Sequence, residues 1–166
     1  MRFDVCALVR RDHDDLDRAL GAMTDPATPP KELSNLLEVF SLALAVHVAA
    51  EARMFDLLLA RIAGPRALAM LVSQARAEHL AQREVTDMLG RIRPSSIDWY
   101  ARALELRVLV VDHAERADYG QWTLRDHVAF DLQRELAAEY ATERMRVLAS
   151  TSPIGIAQRR TAALGL

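Results

Sequence analysis

Cysteine is nearly absent: Cys6 is the only one in 166 residues. An internal disulfide is therefore impossible, and a thiolate zinc cluster has no ligands to draw on. Glycine and proline are scarce, at six each, and fall mostly where a helix would have to stop. No segment alternates polar and apolar residues with the period of a half-buried strand. No run of Lys and Arg stands out, and the net charge of −2 mixes both signs, which argues against a nucleic-acid partner. The Gln158-Arg159-Arg160 stretch is too short to change this. No stretch of ~20 uninterrupted apolar residues suggests a membrane span. Asp4 interrupts the N-terminus too early for a signal peptide. These absences predict a soluble cytoplasmic protein.

What the chain does have is helix-forming material. Hydrophobic residues make up 51%, much of it Ala, Leu and Val, and the length suits one domain with a proper core. Breakers divide it into helical stretches at about 3–23, 30–62 and 66–89, with Gly64-Pro65, Gly90 and Pro94 marking the ends. Ser95, with Asp98 three residues on, predicts a capping box opening a fourth helix that weakens near Gly120. Thr123 with Asp126 predicts the start of a fifth segment running to about Ala149. Long helices joined by short links pack as an up-and-down bundle. The expected architecture is all-α: a four-helix up-and-down bundle with an extra C-terminal helical segment over residues 1–150, and a tail over 151–166.

Four of the five histidines fall one per helix in the first four helices, each on the apolar stripe. The first stripe reads Cys6, Val9, His13, Leu16, Leu20, and the second Leu44, His47, Glu51, Phe55, Leu58. His79 follows Val72 and Ala75, and His113 follows Leu106 and Val110. His47 lies 15 residues before Ile62 and His79 lies 13 after Arg66, so their depths agree within about 3 Å. His79 and His113 match equally well across the next turn. His13 is 10 residues from Met23 whereas His47 is 17 from Pro30, so the connection over 24–30 has to climb to level them. A lone inward histidine is usually a hydrogen-bonded core residue. Four at one depth, with a carboxylate among them, call for a metal ion, because neutral imidazole donates its lone pair to a cation.

The pattern resembles the hemerythrin-like (HHE) cation-binding domain over residues 9–118. The pieces that carry the likeness are Arg11-Asp12-His13, His47-Val48-Ala49-Ala50-Glu51, Glu78-His79-Leu80, and His113-Ala114-Glu115-Arg116-Ala117-Asp118. The His47/Glu51 spacing is the most specific, since residues at i and i+4 share a helix face. The resemblance implies a bundle holding two irons bridged by a Glu, an Asp and a solvent oxygen, with a position for dioxygen or a related diatomic. By that likeness His13, His47, His79 and His113 are terminal ligands and Glu51 is a bridge, with Asp118 the candidate for the second carboxylate.

The sequence departs from the family in two places. Neither Ala75 nor Arg83 supplies a second ligand in the third helix, and Ala117 stands where many members have Glu. Asp118, five residues after His113, fits a His-x4-Asp variant, but five residues rotate ~140° on a regular helix, so it turns inward only where the helix unwinds. Glu115 and Glu78 are the alternatives, both read first as solvated acids. His and carboxylate donors suit iron, and also zinc or manganese, and a single ion is compatible with the count. Cys6 reads as an inert core thiol, His127 as a surface residue, and Arg10-Arg11-Asp12 as a solvated face. Phe40, Phe55, Trp99 and Leu106 read as core. No nucleophile–base pair or phosphate loop is present. The leading expectation is a non-catalytic di-iron protein that binds or senses a diatomic, or handles iron. The rivals are a metal-free interaction module of the same fold and, behind it, an oxidase or peroxidase.

Overall fold

The computed structural model describes residues 4–62 and 66–151, without the side chains at 67 and 119–127. The described residues form five helices and no strand: α1 (Val5–Thr24), α2 (Pro30–Arg61), α3 (Arg66–Leu89), α4 (Ile97–His127) and α5 (Phe130–Thr151). The expected tail lies beyond Thr151, outside the described residues.

Local chemistry sets most of the boundaries. Asp4 caps α1 by accepting a hydrogen bond from the Cys6 amide at 3.0 Å. Pro30 occupies the first turn of α2, where its missing N–H costs nothing. Two expectations need correction. The residue that caps α4 is Ser96, whose Oγ accepts from the Trp99 amide at 3.2 Å. Ser95 instead takes a left-handed backbone, with φ 64°. The break near Gly120 is also absent. α4 continues through it to His127, so Thr123 and Asp126 lie within α4 and α5 opens at Phe130. One glycine costs a helix interior about 1 kcal/mol, too little to stop a long helix on its own.

Two apolar clusters fill the interior, and the chain visits them in alternation. Leu16, Leu20 and Met23 of α1 join Leu33, Phe40 and Leu44 of α2, Val85 and Leu89 of α3, and Trp99 and Leu106 of α4 in the first. Val5, Cys6 and Val9 join Ala50, Met54 and Leu58 in the second, which also takes Leu136, Ala137 and Tyr140 from α5. His13 and His47 each stand between the two sets along their own helix. α2 packs against α1, α3 and α5. Its apolar character suits a helix with three neighbours. It is also the one described helix long and apolar enough to cross a membrane, with a mean hydropathy of 1.7 over its most apolar stretch.

The 24–30 connection resolves the expected mismatch in depth. Thr28 Oγ1 donates to the Ala22 carbonyl at 2.8 Å, tying the linker to the end of α1 before α2 begins. His13 and His47 meet, with their Nε2 atoms 3.2 Å apart, despite their unequal distances from the connection.

Candidate metal centre

Four helices each bring one histidine to the level where the clusters divide, and all four rings are buried. The rings meet in two pairs. His13 and His47 approach with their Nε2 atoms 3.2 Å apart, and so do those of His79 and His113. Glu51, one turn after His47, lies between the pairs and is only 2% exposed. Its Oε2 is 3.1 Å from His79 Nε2, 3.6 Å from His113 Nε2 and 4.0 Å from His47 Nε2.

Partners on the outer side of two rings fix their protons. The Tyr140 hydroxyl donates to Asp12 Oδ2 at 2.6 Å, so its oxygen accepts from His47 Nδ1–H at 3.0 Å. Arg144 holds the other oxygen of Asp12 at 2.9 Å. His113 Nδ1–H donates to Glu78 Oε2 at 2.8 Å, and Arg116 with Gln74 grips Glu78 Oε1. With Nδ1 carrying the proton, His47 and His113 both aim the bare lone pair of Nε2 inward. A carboxylate or hydroxyl behind an imidazole is the usual support of a metal-ligating histidine.

Electrostatics sharpens the picture. Burial lowers His13 to about 4, against the opposing pull of Glu51, and takes His47 well below the ordinary imidazole value for the same reason. Burial alone pushes the Glu51 carboxyl up, but the rings of His113 and His79 outweigh it and hold the group well below the usual carboxylate range. In His113 burial is likewise overcome, here by Glu51 and Glu78, and its pKa rises. The centre therefore combines two rings held neutral, His13 and His47, with a buried anion whose Oε2 has no aligned hydrogen-bond donor.

The donor set fits a cation. Two nitrogens bound to one ion at about 2.0–2.1 Å, with angles between square and tetrahedral, stand roughly 2.8–3.4 Å apart. The observed 3.2 Å falls inside that range for both pairs. Two imidazole lone pairs cannot face each other at that distance without a proton or a cation between them. Ligand atoms of His13, His47, Glu51 and His113 all lie within 4.8 Å of one another. This buried group could hold a metal ion.

The remaining site expectations divide. Asp118 stands apart: its side chain is 44% exposed and pairs with Arg10 at 3.2 Å. The helix stays regular through this position, so the five-residue step from His113 leaves the carboxylate off the inward face. Glu115 is exposed, as expected, but Glu78 is not the solvated acid it resembled, with its side chain 16% exposed behind His113. Asp12 is likewise buried, not part of a solvated face. Cys6 is buried in the second cluster, and the His127 side chain lies outside the described residues. Sequence reasoning missed Tyr140 altogether, because a tyrosine on the stripe of a helix reads as core.

No protein-family profile, curated protein or solved structure matches this chain.

Proposed function

We propose that the chain is a hemerythrin-like four-helix up-and-down bundle, with α5 laid against it, that holds a non-haem di-iron centre and binds or senses dioxygen or a related diatomic. The observation that carries the reading is the double pair of Nε2 atoms at 3.2 Å with the undonated Glu51 Oε2 between them. His13 and His47 would hold one ion and His79 and His113 the other, with Glu51 as the carboxylate ligand within reach of both. The passage of both α1 and α2 through the two apolar clusters supports the bundle.

Iron, when bound, would supply the affinity for a small diatomic ligand. The chain's own residues do the rest. Tyr140 and Glu78 hold two rings in the tautomer that presents Nε2, and the apolar clusters on either side exclude water. A cavity of about 180 Å³ on the α1–α4 seam, lined by His13, Val110, Ala114 and Asp118, gives a diatomic a way in.

The 4.8 Å grouping of four donors favours a second reading, a single ion at their common point. The placement of Asp118 leaves one bridging carboxylate where the resemblance implies two, which points the same way. An ultraviolet–visible spectrum of the iron-loaded protein before and after exposure to air tests the proposal. Oxo-bridge bands that change with oxygen support two irons, whereas iron bound without them supports one. His47→Ala should abolish most iron uptake while leaving the helical content in place. Full uptake by that variant overturns both readings.

A further inference from the structure

A second cavity lies next to the centre and is too big for a diatomic. It encloses about 430 Å³ at the end of the bundle where α1 and α3 begin and α2 ends. Val9, Met54, Phe55, Leu58, Val72 and Ala75 form much of its wall, while Glu51 and His113 are also among its lining. Pockets of roughly 300–1,000 Å³ with apolar walls and a few convergent polar groups are the usual form of a small-molecule site. Interiors are otherwise close-packed, and side chains around a void forfeit their dispersion contacts. The other half of the interior, around Phe40 and Trp99, is the contrast: its side chains are fully buried against one another.

The charges around the cavity say what it takes. Four carboxylates line it, from Glu51, Glu78, Asp112 and Glu115, and the one guanidinium among them, Arg116, is already paired with Glu78. An anionic head group meets net repulsion there. The wall is mainly aliphatic, with Phe55 its one aromatic ring. We infer that the cavity is a binding site for a neutral, chiefly aliphatic small molecule, seated with one end against Glu51 and His113. The inference rests on the cavity wall and its charges, not on the metal reading, although it would give that centre an organic ligand as well as a diatomic.

Isothermal titration of n-octanol and of octanoate into the full-length protein, metal-free and metal-loaded, tests it. Saturable octanol binding is expected in both forms, with octanoate at least tenfold weaker in the metal-free one, where no cation offsets the carboxylates. Ala75→Phe, which puts a ring into the cavity, should weaken octanol at least tenfold. Leu104→Phe, at an exposed position away from the cavity, should leave it unchanged. If Ala75→Phe does not fold, Val72→Leu makes a smaller intrusion into the same wall and should weaken octanol several-fold. No saturable octanol binding, equal or tighter octanoate binding by the metal-free protein, or indifference to the cavity-filling variant each overturns the inference. A protein that takes up no metal yet binds octanol defeats the proposed function alone, and one that takes up metal but not octanol defeats this inference alone.

Discussion

Tyr140→Phe removes one oxygen and changes little else, so its effects can be worked out in advance. The hydroxyl accepts from His47 and donates to Asp12, and all three side chains are buried. Phenylalanine fills the same space, so no cavity term enters. What remains is a His47 Nδ1–H without an acceptor and an Asp12 oxygen without a donor. Leaving a buried polar group unpaired costs about 1–3 kcal/mol, and Asp12 keeps Arg144 as compensation. The sum is about 2–4 kcal/mol, or roughly 5–15 °C in Tm for a chain of this size. The same loss frees His47 to turn or to change tautomer, and removing such an outer partner typically weakens metal binding 10–100-fold. Thermal unfolding of metal-free protein reads the first effect, and competition against a chelator reads the second. A variant that matches the parent in both Tm and metal affinity would refute the assignment of Tyr140 as the support of His47.

Other outcomes follow from the same geometry. Glu78→Gln replaces the carboxylate behind His113 with a weaker acceptor, and metal affinity measured by chelator competition should fall about tenfold. Asp118→Ala removes only a half-exposed ion pair with Arg10, so it should change stability by less than about 1 kcal/mol and leave metal content unchanged. Loss of metal in that variant would mean that Asp118 turns inward on loading. The metal-free protein should lose stability in acid. Folding lowers His13 from 6.5 to about 4, so the unfolded chain binds more protons between those values. Its contribution is complete above about pH 6.5 and shrinks by about 3 kcal/mol as the pH falls to about 4. Urea unfolding at several pH values checks this, and His13→Leu should flatten the slope.

Much of the fold was legible because its punctuation is chemical. Pro30 and the Gly64-Pro65 break mark helix ends that the structure keeps, and the bounds of α3 agree with the pattern to the residue. Gly120 misled because a breaker's weight depends on length: a penalty near 1 kcal/mol stops a marginal helix but not one of 31 residues. The four histidines and Glu51 were readable because each interrupts an apolar stripe with a polar group that needs a partner. Their supports were not. Asp12 sits in the run Arg10-Arg11-Asp12-His13-Asp14-Asp15, where a charge reads as solvated, and only the approach of α5 buries it under Tyr140. Glu78 faces outward from its own helix until α4 covers it with His113 and Arg116. Such contacts arise from tertiary packing, and no periodicity within one helix announces them.

The most direct test of the central claim is the metal content of the purified full-length protein, expressed in iron-rich medium and counted per chain. About two irons per chain, falling close to none in His47→Ala, is the predicted result for a centre of this kind. A correctly folded protein that carries no metal and cannot be loaded with any would contradict it.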